Sequence, residues 1–154
     1  MQEVFYMREA LRQAQQAFDE DEVPVGAVII FEKKVIARAH NQVETLTDPT
    51  AHAEMIAITQ ATSALSSKWL NECTMYVTIE PCSMCAGALV LARMKRIFFG
   101  AMDPKTGACG SVVNIVDYPR FNHRVEVFKG LLADECGELV SHFFQIKREK
   151  KRSL

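Results

Sequence analysis

The sequence lacks any apolar run long enough to cross a bilayer, which takes about 20 consecutive residues. Its first 21 residues carry charges within a helical pattern, as at Glu3, Arg8 and Arg12, and so do not resemble the apolar core of a signal peptide. The five cysteines are odd in number, and without an export signal a disulfide framework is not expected. We therefore expect a cytoplasmic protein with no membrane association.

A strong charge of either sign is also missing. The formal net charge is −1, which argues against a protein that attracts polyanions through its overall charge. Acidic residues nevertheless outnumber basic ones over residues 1–77, and the reverse holds from residue 78 onwards. The chain ends in a basic cluster from about residue 147. This cluster fits a local basic face or a solvated helix end whose cations suit the helix dipole, and we favour the helix end.

The 154 residues predict a single domain spanning 1–154. Periodicity and β-branched runs predict helices at 2–18, 51–64, 82–91 and 132–150, and strands at 25–31, 35–40, 74–79, 96–100 and 125–128. Strands that alternate with helices, opened by an antiparallel hairpin, indicate an α/β layered domain. Two local predictions are that Thr50 caps the second helix and that Ser111 to Val116 form a short helix.

Two short motifs contain the residues with metal chemistry, His52-Ala53-Glu54 and Pro81-Cys82-Ser83-Met84-Cys85. Each is predicted to open a helix, and residues three apart on a helix share a face, so Cys82 and Cys85 can reach one ion. One imidazole and two thiolates hold zinc on three sides and leave a position for water, as in catalytic zinc sites. Glu54, two residues from His52, is then the candidate proton carrier for that water.

The Cys-x-x-Cys motif alone would also fit a redox pair or half of a structural zinc site. A redox pair does not require His-x-Glu upstream. A structural zinc site needs a fourth ligand, and the sequence has no second Cys-x-x-Cys and no His-x-x-x-His. His-x-Glu followed by Pro-Cys-x-x-Cys is instead typical of zinc-dependent nucleobase deaminases. We therefore expect a hydrolytic deaminase.

Further segments extend the similarity over nearly the whole chain: residues 22–27, 39–41, 48–54, 80–88, 103–107 and 122–124. With them, the sequence resembles the bacterial tRNA-specific adenosine deaminases. The Lys105-Thr106-Gly107 and Asn122-His123-Arg124 segments point to the tRNA branch of these enzymes. The resemblance implies a three-layer α/β/α cytidine-deaminase-like fold, with a five-stranded mixed sheet and helices on both faces.

The same resemblance implies a function. The enzyme would convert adenosine to inosine at the wobble position of a tRNA anticodon stem-loop, as a homodimer with one zinc ion per subunit and no organic cofactor. It assigns zinc to His52, Cys82 and Cys85, and catalysis to Glu54. Asn41 would hold an edge of the base, with a further contact from the backbone near Ala53. The residues along the path of the flanking nucleotides would be Asp103, Asn122, His123, Arg124 and Phe144.

Two alternatives remain open from the residues themselves. A deaminase of a free base or nucleoside, of guanine or cytosine type, would share His52, Glu54, Cys82 and Cys85. A non-catalytic zinc-stabilised RNA-binding module is the second alternative, although it would have no use for Glu54.

Overall fold

The computed structural model describes residues 2–153. Within them the chain forms five helices and five strands. In chain order these elements are α1 Gln2–Asp19, β1 Gly26–Phe31, β2 Lys34–His40, α2 Val43–Leu46, α3 Ala53–Leu65, β3 Thr74–Ile79, α4 Ser83–Leu91, β4 Arg96–Ala101, β5 Glu126–Lys129 and α5 Ala133–Arg152. No helix within these residues has the length and apolar character needed to cross a membrane.

The strands form one mixed sheet in the order β2-β1-β3-β4-β5. Strand β1 runs antiparallel to both β2 and β3, whereas β3, β4 and β5 are parallel to one another. The hairpin between β1 and β2 turns at Glu32 and Lys33, which both have positive φ, and pairs Phe31 with Lys34. The predicted five-stranded mixed sheet is confirmed.

Alternate residues of the central strands pack against helices on opposite faces of the sheet, as the two-residue period of a strand requires. One face carries α3 and α4, whose buried side chains pack with Ala27, Ile29, Met75, Val77, Ile97 and Phe99. The other face carries α1 and α5, whose buried side chains pack with Val28, Ile30 and Tyr76. The three-layer α/β/α fold expected from the resemblance is therefore confirmed.

Gly26 allows α1 to lie very close to the sheet. A Cβ atom at this position would overlap the backbone carbonyl of Ala10 and the backbone nitrogen of Ala14. A glycine within a strand often marks such an approach of two backbones. The first helix can therefore dock on β1 only because residue 26 has no side chain.

Two local predictions are wrong. Thr50 does not cap the second long helix: its N–H and hydroxyl both bond to Asp48 Oδ1, at 2.8 and 2.7 Å, and α3 begins only at Ala53. Residues 111–116 do not form a helix, because the segment turns back on itself through a β-bridge between Cys109 and Asn114. In addition, the predicted loop 41–50 contains the short helix α2.

Candidate active site

The three predicted metal ligands meet where two helices begin. His52 occupies the N-cap position of α3, and Cys82 occupies the N-cap position of α4, one turn before Cys85. The His52 side chain forms no capping hydrogen bond with α3, so its imidazole remains free for another partner, whereas the sulfur of Cys82 bonds to Cys85 in the first turn of α4. His52 Nδ1 lies 3.6 Å from the sulfur of Cys82 and 3.6 Å from the sulfur of Cys85.

These separations match those of a zinc site. Zinc binds sulfur at about 2.3 Å and imidazole nitrogen at about 2.0 Å, so ligands at a tetrahedral angle would have their sulfur and nitrogen atoms about 3.5 Å apart. The three ligand atoms all lie within 4.8 Å of one another, and this is the one such cluster within residues 2–153. Because no fourth side chain among those residues completes the set, the arrangement suits a metal ion with an open position.

The two thiols interact strongly. A hydrogen bond with Cys85 lowers the pKa of Cys82 to about 4, so Cys82 is readily a thiolate. The same bond, together with burial, raises the pKa of Cys85, because a second negative sulfur beside the first is unfavourable. A divalent cation between the sulfurs would remove that repulsion. The donor set therefore fits a metal ion in its charge as well as in its distances.

Glu54 follows the imidazole in the first turn of α3 and is 4% exposed. Burial raises the pKa of its carboxyl group to about 7, because removal from water disfavours the charged form. A carboxyl group whose pKa lies near the working pH can both accept and donate a proton. The position and environment of Glu54 therefore suit a general acid and base beside the metal ligands.

Asn41 connects β2 to the start of α3. Its backbone N–H bonds to the carbonyl of Val25, and its Oδ1 accepts a hydrogen bond of 2.8 Å from the N–H of Ala53. The first N–H groups of a helix have no partners within the helix. Asn41 thus caps the start of α3, the role that was expected of Thr50. Within the described part of the chain, the Nδ2 atom of Asn41 has no hydrogen-bond partner.

A cleft of about 940 Å³ opens above the metal ligands. Its lining brings together six of the predicted site residues: Asn41, His52, Glu54, Cys82, Asp103 and Phe144. Asp103 folds its carboxylate onto its own loop, where it accepts hydrogen bonds from the N–H of Lys105 and from the N–H and hydroxyl of Thr106. Burial opposes ionisation of Asp103, but these bonds prevail and lower its pKa. Phe144 extends from α5 with 42% of its surface exposed.

The other predicted residues lie elsewhere. Ala53 is fully buried, and its N–H is already bonded to Asn41. His123 bonds through Nε2 to the carbonyl of Met94 at 2.7 Å, and Arg124 lies 3.7 Å from Asp117. Neither they nor the exposed Asn122 line the cleft of their own chain.

The cleft residues that were not identified from the sequence include two buried acids, Glu22 and Glu80. Glu22, 1% exposed, accepts hydrogen bonds from the N–H groups of Glu44 and Thr45 and from the Thr45 hydroxyl, and so caps α2. In the sequence Glu22 is part of an acidic run that looks like a solvated helix end. The sequence feature that could have indicated burial of Glu22 is its position just before Val23-Pro24, where the chain turns inward.

A family profile of MafB19-like deaminases matches residues 1–148. The tRNA-specific adenosine deaminase of Bacillus subtilis (strain 168) is 47% identical over 152 residues, which cover 99% of this chain and 94% of the relative. The chain belongs to the family of tRNA-specific adenosine deaminases. The resemblance expected from its motifs is confirmed.

Solved structures agree with this family. A structure from a study of A-to-I editing by tRNA:A34 deaminases at the wobble position of transfer RNA has a TM-score of 0.85 and 43% identity, with coverage of 88% of this chain and 98% of that one. The guanine deaminase of Bacillus subtilis is more distant, at a TM-score of 0.63 and 30% identity over 94% of this chain and 92% of its own. Enzymes that act on tRNA and on a free base thus share this fold.

Proposed function

We propose that this protein is a zinc-dependent deaminase that converts adenosine at the wobble position of a tRNA anticodon to inosine. The main observation is the three-donor cluster of His52, Cys82 and Cys85, which opens into a cleft beside the buried carboxyl group of Glu54. The family supports the choice of substrate, because relatives that match this chain over nearly its full length are named tRNA-specific adenosine deaminases.

The proposed chemistry divides between the metal and Glu54. Zinc held by His52, Cys82 and Cys85 would supply an activated water at neutral pH. Glu54 would take the first proton of the water that adds to C6 and deliver it to N1 of the adenine base. It would then take the second proton, from the new hydroxyl group on C6, and pass it to the amino group, which leaves as ammonia while C6 becomes a carbonyl carbon. The net reaction adds one water at C6 and releases one ammonia, and Glu54 returns to its starting state.

The rest of the cleft would position the base. Asn41 is proposed to donate from Nδ2 to an acceptor atom on the edge of the adenine, while its Oδ1 remains bonded to Ala53. Asp103 and Phe144 form the walls along which flanking nucleotides would lie. A single-stranded anticodon loop suits such a site because its bases are already splayed, which avoids the cost of opening a base pair. Roles of Asn122, His123 and Arg124 towards RNA stay predictions.

We also propose that the enzyme is a homodimer that acts in the cytoplasm, where tRNA is used. Several large apolar side chains on the surface support association, because a second copy would remove them from water. They include Leu91, Val112, Tyr118 and Phe121. Light scattering on the purified protein tests the dimer.

The competing function is deamination of a free base such as guanine, which the likeness to a guanine deaminase supports. A zinc-stabilised RNA-binding module is disfavoured, because Glu54 would then be a costly buried carboxyl group without a use.

One assay separates these functions. The protein, loaded with zinc and quantified for metal, is incubated with an anticodon stem-loop that carries a wobble adenosine, and in parallel with adenosine, guanine and cytidine. We expect about one zinc per chain and inosine in the stem-loop alone. A matched stem-loop with guanosine at the wobble position is the control. Product from free guanine would favour the competing function, and no product from any substrate would contradict enzymatic activity.

A further inference from the structure

One wall of the cleft is held in place by a single buried carboxylate. Glu80 follows β3 and is 3% exposed. Its two oxygens accept hydrogen bonds from the N–H groups of Asp103, Cys109 and Ser111, at 3.0, 3.0 and 3.1 Å. The hydroxyl of Ser111 donates to the same carboxylate. All of these donors belong to the loop that follows β4.

The middle of this loop is equally close to Glu80. Gly107 packs directly on the carboxyl group, and a Cβ atom at residue 107 would overlap it. The next residue, Ala108, donates its N–H to the carbonyl of Pro81 at 2.8 Å. The loop therefore packs against the carboxylate and is also bonded to Pro81, the residue before the metal ligand Cys82.

No cation offsets the charge of Glu80. Within residues 2–153, no Lys, Arg or His side chain forms an ion pair with it. A carboxylate buried without a counterion is unfavourable unless its oxygens are fully hydrogen-bonded. The loop supplies those bonds only in one arrangement, since the donors are separated along the chain. The buried charge therefore selects one conformation of the loop.

We propose that Glu80 is a positioning residue for the RNA substrate. Its carboxylate holds Asp103 and Thr106 at the cleft wall, at a fixed place relative to Cys82 two residues further along the chain. This inference rests on the proposed function. The metal ligands and Glu54 are carried by α3 and α4 and not by this loop. Loss of the Glu80 carboxylate therefore weakens binding of the RNA more than it slows the chemical step.

The test compares Glu80→Gln with the wild-type enzyme on the wobble-adenosine stem-loop. Glutamine keeps the volume, but its NH₂ group faces N–H donors and cannot accept their bonds. We expect KM to rise about tenfold, a change comparable to the loss of one charged hydrogen bond. We expect kcat to change by less than about threefold. Bound zinc stays at the wild-type level. Glu72→Gln, the same change at an exposed site, is the control and leaves both constants unaltered.

Ser111→Ala provides a second variant that removes one donor and keeps the carboxylate. It is expected to raise KM by a smaller factor, and the two substitutions combined are expected to have less than the product of their separate effects. Glu80→Asp should restore part of the wild-type KM. If Glu80→Gln does not fold, the KM of Ser111→Ala decides: a rise supports the inference, and an unchanged value overturns it.

Hydrogen exchange gives a readout that does not depend on activity. The amide protons of Asp103, Cys109 and Ser111 should exchange faster in Glu80→Gln than in Glu72→Gln. An unchanged KM with unchanged exchange, or a loss of zinc in parallel with kcat, would overturn the positioning role. If the wild-type protein does not deaminate the stem-loop but Glu80→Gln still exchanges faster, the proposed function is contradicted. The contact between Glu80 and the loop is then still supported.

Discussion

Substitution of Asn41 separates two roles that its side-chain amide combines. Oδ1 accepts the N–H of Ala53 at the start of α3, whereas Nδ2 is left for the base. Asn41→Ala removes both groups. Asn41→Asp keeps an acceptor for Ala53 but replaces the NH₂ donor by an oxygen. A negative charge is also favourable beside a helix N-terminus.

The magnitudes follow from burial. Ala53 is fully buried, so its N–H would lose its partner without gaining water in Asn41→Ala. Loss of such a cap costs about 0.5–2 kcal/mol of the free energy of unfolding. Asn41→Asp should lie within about 0.5 kcal/mol of wild type. Either substitution removes the proposed bond to the base, about 1.4 kcal/mol, and should lower kcat/KM for the stem-loop about tenfold.

The two effects are measured separately, by urea unfolding with zinc at saturation and by inosine formation in the stem-loop. Equal destabilisation of the two variants would refute the capping role. Wild-type kcat/KM in Asn41→Asp would refute the contact with the base. An exposed Asn71→Asp variant controls for the change of charge.

Three further substitutions are informative. Glu54→Ala should retain zinc, as measured by metal analysis. Its kcat should fall at least about 100-fold, because general acid–base catalysis contributes that much or more. An active variant would exclude Glu54 as the proton carrier. Glu22→Gln should lower the free energy of unfolding at pH 7 by about 1–3 kcal/mol. Burial opposes ionisation of Glu22, but bonds from Thr45 and Glu44 outweigh it and hold the pKa below its usual 4.5. The stabilisation from Glu22 is therefore complete above about pH 4.5 and is lost as the pH falls through the lower pKa of the folded state. Urea unfolding should show the free energies of unfolding of wild type and Glu22→Gln converging in acid. A difference that does not change with pH would contradict this. Gly26→Ala should cost about 1–3 kcal/mol through overlap with α1, and a wild-type melting temperature would contradict the close approach.

Sequence patterns predicted the central strands because Gly26–Phe31 and Thr74–Ile79 are rich in β-branched and apolar residues, and burial on both faces suits such runs. The long helices were predicted within a few residues of their observed bounds. The predictions that were wrong concern local polar segments. Thr50 has the chemistry of a helix cap, but Asp48, two residues away, takes both of its donors.

The metal ligands were recognisable in the sequence because their chemistry requires particular donors at short, fixed spacings, and each half of the site lies in one helical turn. Glu22, Glu80 and the capping role of Asn41 depend on partners 12 to 31 residues away. Spacing carries no information about such pairs, since only the folded chain brings their atoms within hydrogen-bonding distance. The sequence by itself thus determined which atoms can hold the metal and move the proton. The tertiary structure decided how the walls around them are held, because each buried carboxylate or amide must find its partners wherever the packing of the sheet and helices places them.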